Sequence, residues 1–502
     1  MDYQLAQEQQ TGRHYLHIRT LDTLPGMLAW LALGTVVMGA IYFPAGVLAA
    51  VALLACYSAA RFTLAGIAHI WGLWLIRRWE SLDWCTEYQR RAGRISLPLD
   101  SVHHLVVIPN YQENVDVLRR SLDRLAEQAH ARTSISLVLA MEAAEPGAQE
   151  KGERLRAAYS ASFAHVLVTL HPRRIPGEIQ CKSANLNWAI RWAKHAMVDE
   201  RGYDMEHLVV TTMDADTQWH PCYFASLGVL FATDPQRYST YWQAPIRYHG
   251  NVWAAHPLMR ILHAYASAWE LTYLAAPWWQ ALPMSSYSAS LRLLHDAGYW
   301  DPDAIADEWH MYIKSYFARR GNQRLTPIFL PFLANATTGD TWSRAIKARY
   351  RQTFRHAWGA KEIGYTIDQM GRHSRSTWRL LIRVAHDNLL AGAGWVIMSL
   401  GAQLPLAFHP AWARENLNSP AFLVLQASLI LVTALTLIFW ALDKHIRPPC
   451  PHPETKRERL YELLSLPLVA VLTMSCVALP VLHAQTRLML GKPIEFRVTA
   501  KQ

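Results

Sequence analysis

The chain has 502 residues, of which 51% are hydrophobic and 18% charged, with a formal net charge of +10. That is too long for one ordinary domain and too apolar to be all soluble surface and core, so a membrane part joined to a soluble part fits best. The basic excess crowds the segments beside the apolar runs, which points to lipid headgroups and phosphorylated substrates and argues against nucleic acid as a partner. The six cysteines show no CxxC or metal-ligand spacing. They read as reduced, buried residues, Cys56 and Cys476 within apolar runs, and not as a disulfide framework or a zinc site.

In chain order, residues 1–23 form a polar tail without the basic region and cleavage site of a signal peptide, so the helices after it are expected to be retained. Residues 24–76 hold LPGMLAWLALGTVVMGAIYF, then Pro44 and a second apolar run, and predict a transmembrane hairpin. Residues 77–347 read as a soluble domain, 348–387 as a helix with a basic interfacial segment, 388–484 as further membrane helices, and 485–502 as a basic tail. The expected C-terminal spans are Asn388 to Phe408, Ala421 to Leu442, and Leu460 to His483, the last interrupted by Pro467 and Pro480.

Arg77, Arg78, Arg90, Arg91 and Arg94 follow the hairpin, and Lys444, Arg447, Lys456, Arg457 and Arg459 follow the Ala421 span. The positive-inside rule then makes both flanks and the soluble domain cytoplasmic, as in an integral protein of a bacterial inner (plasma) membrane. Five full crossings would put the basic tail outside, against the rule. Either the last segment does not cross once, or the tail is an exception.

Within the soluble domain, LVVIPNYQE (105–113) and LVVTTMDAD (208–216) are apolar strands that each end in a carboxylate-bearing loop. Between them come a helix over Val115 to Gln128, a strand Ile135 to Met141 ending at Glu142, a charged helix, a strand His165 to Leu170, and a helix Cys181 to Ala196. Four alternations of strand and helix predict a parallel α/β sheet with right-handed crossovers and a ligand crevice at the strand C-termini. Neither GxGxxG nor GxxxxGK[ST] is present, which leaves carboxylates and a metal to handle phosphates. Asp214 and Asp216, two apart in an extended segment, point the same way and can share a hard divalent cation.

Beyond the sheet the pattern predicts an aromatic-rich helix over Asn251 to Ala275, a serine-rich stretch with a short helix over Leu282 to Trp300, and a helix that starts at Asp307-Glu308-Trp309. Two acids in a first turn suit a general base, and equally suit the helix dipole. In ARYRQTFRHAWGA, Gln352 and Arg355 share a helical face, with Trp358 about 60° round from Arg355. Together they can grip a diphosphate and stack on a sugar, or form a basic helix on the headgroups, with Arg372, Arg375, Arg379 and Arg383 continuing the basic run.

Taken in order, these segments resemble the membrane-bound family 2 glycosyltransferases, the processive group of cellulose, chitin and hyaluronan synthases. The motifs are Ile108-Pro109-Asn110-Tyr111-Gln112-Glu113, Asp214-Ala215-Asp216, Asp307-Glu308-Trp309 and Gln352-Thr353-Phe354-Arg355. The resemblance implies a GT-A (Rossmann-like nucleotide-diphospho-sugar transferase) domain inserted between transmembrane helices. It implies an inverting, metal-dependent transfer from a nucleotide-sugar donor, a UDP-sugar by preference, to a growing polysaccharide. A lipid acceptor, giving a glycolipid, and a catalytically inactive nucleotide-sugar sensor are the alternatives.

By the same resemblance Pro109, Tyr111 and Glu113 line the base and ribose pocket, Asp214 contacts the nucleoside, and Asp216 holds the metal. Glu308, or Asp307 because the acidic pair is inverted here, deprotonates the acceptor, and Arg355 stabilises the leaving diphosphate. Lys182 is a diphosphate contact or a surface lysine, and Glu142 a uracil contact or a solvated helix start. The tryptophan expected after the arginine is His356, leaving Trp358 as its substitute.

Overall fold

The computed structural model describes residues 20–373 and 377–492. Among the described residues, five helices are long and apolar enough to cross a membrane: Thr20–Tyr42, Pro44–Glu80, Trp378–Phe408, Pro420–Ile446 and Val469–Met489. The α/β domain lies between the second and third of them, as expected. Here α1 is Leu24–Tyr42 and α2 is Pro44–Glu80, the turn between them fixed by Pro44 at the first position of α2. The last span differs from expectation. Lys456–Ser465 is a separate helix with a Thr455/Glu458 capping box, and the crossing begins only at Val469, after Pro467. Cys56 is exposed, not buried, because the apolar span α2 turns many side chains outward, and Cys85 because it lies on the short polar helix Trp84–Arg91; the six cysteines are all free thiols.

Among the described residues, nine strands, β1 His103–Asn110, β2 Ile135–Glu142, β3 His165–His171, β4 Leu208–Thr212, β5 Thr240–Gln243, β6 Ile246–Arg247, β7 Tyr287–Ser290, β8 Arg324–Pro327 and β9 Phe332–Leu333, form two sheets. The larger has the order β3-β2-β1-β4-β7-β5-β8 and the smaller pairs β6 with β9. β1 pairs in parallel with β2 and with β4, so the crossover direction reverses between β1 and β4 and opens a crevice at their C-terminal ends. β7 runs antiparallel to β4 and β5. The serine-rich stretch, to which the sequence assigned no element, supplies this strand.

Alternating residues of β1 enter opposite layers. Val106 and Ile108 pack with Leu118, Leu122 and Phe224; Leu105 and Val107 pack with Leu186, Ile190 and Met311. The expected helix over Asn251 to Ala275 begins only at Arg260, since Pro257 confines the preceding residues to turns and a 3-10 turn capped by His256.

The domain is locked to the membrane helices by buried charge. Arg260 Nη1 lies 3.1 Å from Glu462 Oε2, and Glu462 Oε1 lies 2.7 Å from Arg447 Nη1. Arg447 Nε reaches Asp443 at 2.7 Å, and Asp443 reaches His249 Nε2 at 2.8 Å. Arg447 is therefore an internal ion-pair member and not a headgroup contact. Glu462→Ala leaves two buried guanidinium groups short of a counter-charge and is expected to cost about 3–5 kcal/mol of stability. An unchanged melting temperature in detergent would refute that assignment.

Candidate active site

The helix α5, Lys182–Lys194, starts beneath the crevice. Lys182 Nζ stands 3.0 Å from Asp214 Oδ1, 3.1 Å from Glu308 Oε1 and 3.7 Å from Asp307 Oδ2, and donates to the Ser285 carbonyl at 2.9 Å. It is no surface lysine. Burial alone would lower its pKa, but Asp214, Asp307 and Glu308 outweigh that and hold it well above the ordinary range. One cation thus joins the acid at the end of β4 to the acidic pair that opens α8, Asp307–Ala318.

Three carboxylates against one ammonium leave an excess of negative charge. Asp307 absorbs part of it. Burial first, then the adjacent Glu308, push its carboxyl up from the usual range, against the pull of Lys182. Its Oδ2 is buried without a hydrogen-bond partner.

The D-x-D segment is not extended. The Thr217 N–H donates to the Asp214 carbonyl at 3.0 Å, closing a turn, so the two carboxylates do not simply point the same way. Asp214 faces Lys182, whereas Asp216, 2% exposed, accepts the Asn335 N–H at 2.8 Å. Ser286 Oγ accepts the Asp214 N–H at 3.1 Å and pairs with Thr217 Oγ1 at 2.9 Å. Ser285, Ser286 and Asn335 were missed from the sequence. The alternation of Ser286, Ser288 and Ser290 was the available signal for a strand that braces this turn.

Among the described residues no group of three or more His, Cys, Asp or Glu side chains forms a ready-made metal cage. Two carboxylates at a net-negative strand end fit a hard cation that takes its remaining oxygens from diphosphate and water. Asp214 and Asp216 are the residues here that would hold it.

At the end of β1, Pro109, Tyr111 and Glu113 are half-buried, and β1 and β4 run in register from His103/Leu208 to Val107/Thr212. Gln112 between them has φ 57°, a left-handed conformation unusual for a side-chain-bearing residue. Its N–H donates to Glu145 at 2.6 Å, and the Glu113 carbonyl accepts Lys151 at 3.2 Å.

Glu142 is buried and not solvated. It and Glu178 flank His171, at 3.0 Å from Nδ1 and 2.8 Å from Nε2. Burial opposes protonation of His171, but the two acids raise its pKa to about 9. The tie between β2, β3 and the segment 172–181 is therefore complete below the unfolded histidine value of about 6.5 and is lost as pH rises through the folded value. Hydrogen exchange of 172–181 should accelerate across that window, and Glu142→Gln should blunt the response.

Gln352 and Arg355 lie on α9, Trp342–His356. Gln352 is buried and accepts Arg349 Nη1 at 2.9 Å. Trp358 is not on that helix. It falls in the 3-10 turn Ala357–Ala360 and is 3% exposed, clustered with Ala360 and Leu488, against which Ile305 packs. The turn therefore abuts the residues just before Asp307. Of the basic run, Arg383 is buried 5.5 Å over the Trp309 ring, and Arg375 lies outside the described residues.

No known family and no curated protein matches this sequence. Among solved structures, a mannosyltransferase from Pyrobaculum calidifontis in complex with GDP-Man and Mn2+ aligns at 17% identity and TM-score 0.41, over 83% of this chain and 97% of that one. GalNAc-T7 with UDP, GalNAc and Mn2+ aligns at 12% identity and TM-score 0.34, over 58% of this chain and 57% of that one. TarS 1-349 of S. aureus aligns at 11% identity and TM-score 0.32, over 74% of this chain and 90% of that one. Likeness this distant carries no argument about activity. The geometry of the site has to carry it.

Proposed function

We propose that this protein is a membrane-embedded family 2 glycosyltransferase with a GT-A catalytic domain facing the cytoplasm. On this reading it moves a sugar from a nucleotide-sugar donor, a UDP-sugar by preference, to a growing polysaccharide with inversion at the anomeric carbon. The observation that carries the reading is the convergence of Asp214, Asp307 and Glu308 on Lys182. It sets a donor-side acid of the D-x-D opposite an acidic pair suited to proton abstraction. The strand order around the β1/β4 switch point supports it, as do the membrane helices on either side.

The site's residues divide the work. Pro109, Tyr111 and Glu113 take the nucleoside beside Asp214. Mg2+ or Mn2+, when bound by Asp214 and Asp216, supplies positive charge to the diphosphate. Glu308 accepts the proton of the acceptor hydroxyl as its oxygen bonds to the anomeric carbon. The bond from that carbon to the diphosphate oxygen breaks, and its electron pair leaves with the nucleoside diphosphate. Lys182 and Arg355 stabilise that leaving charge, and Gln352 holds the neighbouring Arg349.

The end of the span Pro420–Ile446 meets the sheet domain through Asp443 and His249, with the adjoining Arg447 paired to the same Asp443. This supports one cytoplasmic side for the domain and the basic flanks. The test is release of nucleoside diphosphate by the full chain in detergent, with Mg2+ or Mn2+, a panel of UDP- and GDP-sugars and candidate acceptors. Release with a long polymeric product is the expected result. A single-sugar lipid product would reassign the acceptor, and binding of donor without release from any sugar would leave a sensor in place of an enzyme.

A further inference from the structure

Three contacts lay the segment 305–310 along the segment 357–362. Ile305 packs on the cluster containing Trp358 and Ala360. A Cβ placed on Gly359 would stand 3.6 Å from that of Ala306. Last, His310 Nδ1 lies 3.1 Å from Glu362 Oε2, at the start of α10, Lys361–Arg372. The other ring nitrogen is 2.8 Å from Asp301 Oδ2, and Asp301 also accepts Lys314 Nζ at 2.6 Å. His310 is 1% exposed and Glu362 0%.

Ionised carboxylates only accept hydrogen bonds, so a ring flanked by one on each side must donate from both nitrogens. His310 is then an imidazolium. Burial works against that charge, but Glu362 and Asp301 prevail and raise its pKa to about 9. The anchor matters because the start of α8, where its chemistry begins, is gripped by Lys182 but has no side-chain cap. Its N-cap, Ala306, offers no side-chain hydrogen bond, so the first turn, with Asp307 and Glu308, lacks the capping that normally stops fraying. His310 stands one turn further on.

We propose that His310 is a positioning residue of the transfer reaction. By bridging Asp301 and Glu362, it fixes Glu308 relative to the turn that follows Gln352 and Arg355. The role rests on the glycosyltransferase reading above. It gives the base and the leaving-group arginine a common mount, though they come from helices separated in sequence.

The test uses the full chain in detergent, with donor kinetics measured by nucleoside diphosphate release and hydrogen exchange measured over 305–312. His310→Gln is expected to lower kcat about 10–100-fold and to leave donor KM within about twofold, because it displaces reacting groups without removing a donor contact. Exchange over 305–312 should accelerate while β1 and β4 stay protected. Adding Glu362→Gln to His310→Gln should recover kcat by about fivefold, because an amide pair no longer strands a buried carboxylate. A wild-type kcat in folded His310→Gln, a rise in KM at constant kcat, or a double variant no better than the single would each overturn the proposal. Where His310→Gln does not fold, Glu362→Gln alone must show the same loss of kcat, and normal turnover there is equally fatal. Absence of release by the wild type sinks the transferase reading instead, and the exchange measurement still decides whether His310 anchors the first turn of α8.

Discussion

Glu308→Gln is expected to lower turnover about 10²–10⁴-fold while donor affinity stays within about twofold of wild type, since the change removes a proton acceptor and no metal ligand. The choice between the two acids follows from their surroundings. Asp307 has a side chain 5% exposed and its carboxyl pushed upward by burial and by Glu308, so it tends to keep its proton and is poorly placed to receive another. Glu308 is more open, at 22%, and pairs with Lys182 at 3.1 Å. Asp307→Asn should therefore be the milder substitution. The measurement is single-turnover nucleoside diphosphate release beside calorimetric donor binding. A fully active Glu308→Gln with an inactive Asp307→Asn would transfer the role to Asp307.

The second large effect is expected at the turn after β4. Asp216→Asn keeps an acceptor for the Asn335 N–H but removes the charge, and turnover should fall about 10³-fold through loss of several kcal/mol of metal-borne stabilisation. Asp216→Ala adds to this an unpaired buried N–H and should also destabilise the turn. Asp214→Asn is informative in a different way, because it frees Lys182 from one of its three carboxylates. Metal-dependent donor binding separates the cases. If Asp216→Asn bound donor and metal as the wild type does, Asp216 would be a purely structural acid.

Much of the fold could be read from the sequence because its signals are local. Two apolar runs leading into acids located β1 and β4, and the unbroken apolar run of β1 agrees with its burial on both faces. Asp307 and Glu308 open a helix as expected, and Lys182, Asp214, Asp307 and Glu308 meet. What escaped is non-local or geometrically irregular. The serine-rich β7 carries no apolar run; its Ser288 hydroxyl pairs with both Thr211 and Tyr223 in place of an apolar contact. The Asp214–Thr217 turn depends on Ser286, 72 residues away. Glu142 looked available because nothing near it in the chain announces His171 and Glu178. Trp358 shifted for a simpler reason: α9 ends at His356, and a helical-wheel angle has no meaning beyond a helix end.

The buried charges between the sheet domain and the membrane helices also have a consequence for how the protein is made. Arg260 and Glu462 are 202 residues apart, so a ribosome completes the sheet domain's central strands well before the partner of Arg260 leaves its tunnel. Until the span Pro420–Ile446 has inserted and Lys456–Ser465 has docked, the domain holds a guanidinium group with its main counter-charge missing. Maturation of the soluble part thus waits on correct insertion of the late helices. A chain stalled or cut before residue 456 would present a defective surface for proteases to find, and not a free-standing enzyme.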